Sequence, residues 1–261
     1  MRLFGLPDIS IRESKERVKT AIKNSGYSLF SRKIIVNLAP AAKRKEGSIF
    51  DLPIAIGVLS ANEYIQYQTD NIVFMGELSL DGKVNKINGV LPMCIELVKL
   101  GIKKVVLPKE NAREASVVKG IEIIPVSSLR ETVEYLNCEV DIQFENNNEI
   151  LVQEGIKNCL DFSEVKGQKN IKRAVEVAAS GGHNLIMVGI PGSGKTMIAK
   201  RIPTILPDLS FEECLEITKI HSIAGNLSEK VPVINTRPFR SPHHTISPVS
   251  LVGGGRYPKP R

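Results

Sequence analysis

Residues 189–196 read GIPGSGKT. The apolar run NLIMV (184–188) precedes them and TMIAKRIPTIL follows, so the motif lies between what reads as a buried strand and what reads as a helix. The pattern GxxxxGK[ST] is met at Gly189, Gly194, Lys195 and Thr196, and strand before, helix after is its confirming context. The residue types follow from the chemistry of a triphosphate. Across Gly189, Ile190, Pro191, Gly192, Ser193 and Gly194, glycines let the backbone close around the β- and γ-phosphates with N–H groups pointing inward. The helix N-terminus adds partial positive charge. Lys195 places a cation on the β/γ oxygens, and the Thr196 hydroxyl is a ligand for Mg2+. ATP and Mg2+ are the expected cofactors.

Working outward, the 261 residues give room for one large domain or two modest ones. No apolar run approaches the roughly 18–20 residues of a membrane span, and no signal-peptide core follows Arg2. A cytoplasmic location without a membrane partner is expected. Cys94, Cys138, Cys159 and Cys214 are scattered, with no CxxC pair, and read as small core residues rather than zinc ligands or disulfides. Net charge is +7 and uneven: residues 1–150 carry 20 Lys+Arg against 19 Asp+Glu, residues 151–261 carry 15 against 9. The excess lies on the segment with the phosphate motif and suits an anionic ligand, ATP or nucleic acid.

The spacing predicts a helix after Pro7, with Ser10 and Glu13 as a capping box, a stripe of Val18, Ala21 and Ile22, and a stop at Gly26. KIIVNLA (33–39) reads as a buried strand and DLPIAIGVLSANEYI (51–65) as a core helix. Residues 71–87, turning at Asp81-Gly82, read as a hairpin. Then come a helix over 88–101, the strand KKVVLP, a helix over ENAREASVVKG, the strand IEIIPV, and a helix capped by Ser128 and Glu131 through Leu136. The acidic, Asn-rich stretch 138–158 reads as a linker, giving domains at 1–137 and 159–261. Helices are expected over 168–182, after the phosphate motif with a break near Pro203, and over 210–222 with Ser210 and Glu213 in capping-box spacing.

DFSEVKGQKNIKRAVEVAASGGHNLIMVGIPGSGKT resembles the opening of an AAA+ ATPase module, which implies that Val165, Gly167 and Gln168 pack on the adenine. Within that class it is most similar to the magnesium-chelatase-related group. RPFRSPHHT (237–245) followed by LVGGG (251–255) resembles the ComM/YifB branch. That branch implies a ring of identical ATPase subunits acting on DNA in recombination and natural transformation. A P-loop ATPase also needs an apolar strand ending in Asp-Glu, to hold Mg2+ and polarise water. Residues 197–261 offer none: EECLEI belongs to a helix and VPVIN ends in Asn. In the family these parts follow the GGG-x-x-PKP segment with which this sequence closes, so the chain is expected to bind nucleotide weakly without turning it over.

MGELSLDGKVNKINGVLPMCIELVKLGIKKVVLPKENAREA (75–115) resembles the proteolytic domain of Lon, implying a Lon-like α/β domain (of the ribosomal protein S5 domain 2 type) ahead of the N-terminal part of a P-loop AAA+ domain. Lon hydrolysis uses a Ser nucleophile and a Lys base. Here Asp51 stands at the nucleophile position, Ser48 lies three residues early, and Leu91 or a neighbour stands at the base position. An Asp and a Leu make no such pair, so a non-proteolytic domain is expected. The family's longer lead-in before Gly5-Leu6-Pro7-Asp8 is short here, and an unpaired sheet edge is expected.

Arg237, Arg240, His243 and His244 share one short stretch. Adjacent histidines with no nearby carboxylate make a poor metal site. A structural loop stays open as one reading. The family likeness favours a loop touching nucleic acid or a neighbouring subunit. Lys43-Arg44-Lys45 reads as a solvated loop. A magnesium-chelatase motor subunit is the alternative function, although a Lon-like first domain is not expected in it.

Overall fold

A computed structural model describes residues 1–4, 9–29, 34–40, 42, 45, 47–66, 71–143, 160–228, 231–242 and 245. The chain forms two compact units, Met1–Asn148 with Lys219–Pro232, and Glu149–Thr218 with Val233–Arg261. The α/β class is as expected, with parallel pairing in the first unit.

β1 (Arg2–Phe4) precedes α1 (Ile9–Asn24) and pairs parallel with β2 (Ile35–Asn37). Among the described residues β1 pairs on one side only. Ile35 is 57% exposed, so the described part of that run, 34–39, is not the buried strand its apolar character suggests. Among the described residues β1 is its one partner. The stripe of α1 is as expected, with Ile11, Val18, Ala21 and Ile22 fully buried. The helix starts before Ser10, which lies inside it rather than at its N-cap. It stops at Gly26, whose φ of +93° an L side chain rarely adopts.

α2 (Asp51–Ala61) buries Leu52, Ile54, Ala55, Ile56, Val58 and Leu59. A helix apolar on nearly every face has to be enclosed, and each buried Leu, Ile or Val side chain contributes roughly 1.5–3 kcal/mol. The hairpin expected over 71–87 is shorter. β3 (Ile72–Phe74) belongs to a different sheet, and β4 (Glu77–Leu78) and β5 (Val84–Asn85) form the antiparallel pair. Gly76 joins the two parts where a Cβ would stand 2.7 Å from Val84 Cγ1. α3 (Val90–Lys99) leads to β6 (Lys104–Pro108). The helix expected over 110–120 shortens to a 3-10 turn at Lys109–Asn111 and α4 (Ala112–Ala115), and the chain turns away before Gly120, at φ +90°. β7 (Glu122–Val126) completes a parallel sheet of order β3-β6-β7.

α5 (Leu129–Leu136) starts as expected: Glu131 N donates to Ser128 Oγ at 3.1 Å, and Ser127 N donates to the Glu131 carboxylate at 2.6 Å. Leu129, Val133 and Leu136 join Val18, Ile22, Leu52, Leu59 and Ile124 in one core. The linker from 144 onward, with Cys159, lies outside the described residues. Cys94 and Cys214 are buried, but Cys138, expected in a core, is exposed just past α5.

The second unit contains α6 (Lys169–Ser180), α7 (Lys195–Arg201) with a 3-10 turn at Ile202–Ile205 around Pro203, and α8 (Phe211–Ile223), whose last turn groups with the first unit. Its core is small: Phe162, Val165, Val175 and Ile198, flanked by Met187, Ile202 and Ile205. Residues 184–189 correct the expectation of a buried strand. Ile186 and Val188 are 88% and 93% exposed, and Ile190 beyond them 78%. A strand needs a neighbour to take its N–H and C=O groups, and among the described residues none pairs with this stretch. No helix of the described residues is long and apolar enough to cross a membrane.

Candidate nucleotide-binding site

Gly192 and Gly194 hold φ of +80° and +85°, which lets the chain reverse between Gly189 and α7. Gly194 is the N-cap of α7. The Lys195 ammonium lies inside the reversal, donating at 2.8 Å to the carbonyls of Gly189 and Ile190 and at 3.2 Å to Ser193 Oγ. A Cβ on Gly192 would meet nothing within 4 Å, so the loop mouth is open there. A cation centred in an open backbone loop fits a polyphosphate. Thr196 follows, exposed, and Pro191 is exposed on the outer bend.

The Val165–Gln168 turn reaches this loop. Gln168, in the left-handed region at φ +49°, donates through Nε2 to Ser193 O at 3.2 Å. Gly167 holds φ +65° and Val165 is fully buried in the small core. The structure therefore brings Gln168 against the loop and uses Val165 as packing. Arg201 was not singled out from the sequence. Its Nε donates to Glu164 at 2.9 Å, tying the end of α7 to the turn before Val165.

Arg237 is held by the unit itself, donating through Nε to Pro207 O at 2.8 Å and lying 3.7 Å from Glu213. The Glu213 carboxyl is lowered from its ordinary value, first by the Ser210 N–H it accepts and in smaller part by Arg237. The capping box of α8 is as expected, with Glu213 N donating to Ser210 Oγ at 3.2 Å. Arg240 is exposed; His243 and His244 lie outside the described residues. So do Lys43 and Arg44, whereas Lys45 is buried and donates to Pro40 O. Among the described residues no group of His, Cys, Asp or Glu could hold a metal ion.

In the first unit, Asp51 opens α2, fully buried, and accepts from Arg17 Nε at 2.9 Å and Nη2 at 3.2 Å, and from Leu78 N at 3.3 Å. The hydrogen bond with Asp51 is the main cause that raises Arg17 above its ordinary value. Ser48 bonds to Glu77. Leu91 is fully buried, and its N–H donates to Glu114 at 3.0 Å. That carboxylate, 6% exposed, also accepts from Asn111 Nδ2 at 3.1 Å and from the Ser222 hydroxyl. Asn111 in turn holds the backbone of Ile87 through both amide atoms. The sequence reading used this Asn only as part of a motif. Its signal was an Asn and a Glu three residues apart in a helical stretch, hence on one face.

Two family models match the chain. One, described as "Subunit ChlI of Mg-chelatase", covers residues 1–111, and the other, "Magnesium chelatase, subunit ChlI", covers 161–261. An uncharacterized protein of Mycobacterium tuberculosis is 41% identical over 98% of this chain and 50% of its own length. Protein YifB of Escherichia coli is 38% identical over 100% of this chain and 51% of its own. Competence protein ComM of Haemophilus influenzae is 38% identical over 99% and 51%. The chain thus spans about half the length of these relatives. Over 46% of the chain, Lon protease 2 of Bacillus subtilis is 34% identical, across 22% of its own length.

Proposed function

Because the chain belongs to the ComM/YifB family of magnesium-chelatase-like proteins, we propose that it is the nucleotide-gripping part of a ring-forming AAA+ motor that works on DNA in recombination and natural transformation. The observation that carries this reading is the Lys195 ammonium, held among the Gly189, Ile190 and Ser193 oxygens. Exchanging those oxygens for the anionic ones of a triphosphate keeps the cation solvated, while the N–H groups of Gly192, Ser193 and Gly194 turn to the phosphates. Thr196 supplies a hydroxyl to Mg2+, and the Val165–Gln168 turn borders the base. ATP, when bound, supplies the phosphoanhydride whose cleavage drives the motor.

Cleavage asks for more than the grip. EECLEI lies in α8, VPVIN ends in Asn, and residues 197–261 hold no apolar run ending in Asp-Glu. This sequence is therefore expected to bind MgATP without hydrolysing it. A fluorescent ATP analogue titrated with Mg2+ should bind the chain and not its Lys195→Ala variant, and phosphate release should stay at background. Robust Mg2+-dependent release that disappears with Lys195→Ala would overturn the reading.

DNA is supported by the name of the H. influenzae relative, a competence protein, and by the basic excess of residues 151–261. The family models' descriptions favour a second reading, a metal-insertion motor of the magnesium-chelatase type. Salt-sensitive binding of branched DNA in a gel shift separates the two; no DNA binding at any salt favours the second.

A further inference from the structure

A solvent-open groove of about 540 Å³ lies wholly within the first unit, with Lys83, Lys109 and Arg113 along its sides. We propose that this groove grips the phosphodiester backbone of nucleic acid, an inference that rests on the DNA reading above and gives the first unit a part in it.

Position is the first argument. Lys109 directly follows β6 and Ser127 directly follows β7, and these strands run parallel. The groove therefore sits at the carboxyl ends of two neighbouring parallel strands, with its lining drawn from the segments that leave them.

Charge is the second. Among the described residues Glu110 is the one carboxylate on the lining. Lys83 is 3.2 Å from Asp81 at the hairpin turn. Neither Lys109 nor Arg113 has an ion-pair partner among the described residues. Residues 1–150 as a whole are nearly balanced, so the positive groove is a local feature and not a sample of a basic surface.

Rigidity is the third. Residues 109–115 form one helical stretch, with Lys109 and Arg113 four apart on its exposed face. The buried face carries Asn111 and Glu114, bonded to Ile87, Leu91 and Ser222. The two cations thus stand on a wall fixed from behind, which lowers the ordering cost of binding.

The lining also says which part of a nucleic acid it takes. Among the described residues it holds no aromatic side chain, and Asn85 and Ser127 add polar groups. Without a stacking surface, bases have no platform. Cations and small polar groups bind phosphates, which carry no sequence information.

The test is fluorescence anisotropy of the chain with labelled single-stranded and duplex oligonucleotides of two unrelated sequences, across a salt series. Lys109→Ala/Arg113→Ala changes two exposed side chains, and an unchanged Tm verifies folding. The double variant should bind at least about tenfold more weakly at low salt, equally for both sequences. The slope of log K against log salt should fall by about 2. Lys103→Ala/Lys119→Ala, exposed but outside the groove, should leave the slope unchanged. If the parent binds and the groove variant matches it, or the outside pair causes the same loss, the groove inference is wrong and the DNA reading stands. If the parent binds neither oligonucleotide at any salt, both fall.

Discussion

Arg17 Nε donates to Oδ2 of Asp51 at 2.9 Å, across the contact between α1 and the first residue of α2. A carboxylate with no exposure is thereby paired with a guanidinium that keeps 23% of its side-chain surface. Removing one partner of a buried pair costs about 3–5 kcal/mol, because the other charge is stranded. Arg17 can partly reach water, so Asp51→Ala should cost about 2–4 kcal/mol, read as a lower urea midpoint. Asp51→Ser installs the residue type of a Lon nucleophile and should be similarly destabilised. A serine-hydrolase probe should not label it, because the side chain at the base position, Leu91, is fully buried and apolar. Labelling of Asp51→Ser would show that a base is within reach after all.

Glu114 serves three donors: the Leu91 N–H, the Asn111 amide and the Ser222 hydroxyl. Glu114→Ala leaves those donors without their acceptor in a buried site, each costing about 1–3 kcal/mol. The loss should fall near the low end of their sum, about 3 kcal/mol, because the site relaxes. Glu114→Gln keeps one acceptor oxygen but turns an NH2 group toward another donor, so it should lie between the two. Thermal unfolding of both variants tests the order. A Gln variant less stable than the Ala variant would contradict it.

How far these features can be read from sequence depends on distance along the chain. The Gly189–Thr196 loop, the Ser128 and Ser210 caps and the mostly apolar α2 are local patterns, and local chemistry decides them. The Glu114–Ser222 bond spans 108 residues, and no local pattern indicates it. The same holds for β3, which reads as one arm of a hairpin but pairs with β6 about thirty residues on. Ile186 and Val188 mark the opposite error. Their apolar character reads as burial, but burial depends on neighbouring strands that local spacing cannot supply. At Asp51 the residue type is legible in the sequence, whereas Arg17, its partner 34 residues earlier, is legible only in the structure.

Cys94 and Cys138 should separate cleanly by reactivity. Burial, with a smaller part from Glu114, pushes the Cys94 thiol up to about 12, whereas Cys138 is exposed. Alkylation near pH 8 should therefore modify Cys138 within minutes and spare Cys94 until the chain unfolds, which peptide mass mapping resolves. The sign of the linked stability follows. The Cys94 thiol keeps its proton in the folded state above the ordinary value of 9.0, where the unfolded thiol loses it. Its contribution is fully present below that value and is lost as pH rises from there toward about 12. Chemical unfolding at pH 8 and pH 10 should show the fall, and Cys94→Ala should reduce it.

Ser210 and Glu213 close a reciprocal pair at the start of α8, Glu213 N to Ser210 Oγ at 3.2 Å and Ser210 N to Glu213 Oε2 at 2.8 Å. Arg237 adds its guanidinium at 3.7 Å from the same carboxylate. Ser210→Ala should cost about 1 kcal/mol, the usual loss of an N-cap. Arg237→Ala should cost less than about 1 kcal/mol, since an exposed ion pair is screened by water. Its larger effect should be on the chain itself, because Arg237 also bonds Pro207 O at 2.8 Å and so holds the 231–242 stretch against the start of α8. Limited proteolysis should cut Arg237→Ala in that stretch faster than the parent, with Tm nearly unchanged. Equal cutting rates would mean that the Pro207 and Glu213 contacts do not hold the loop.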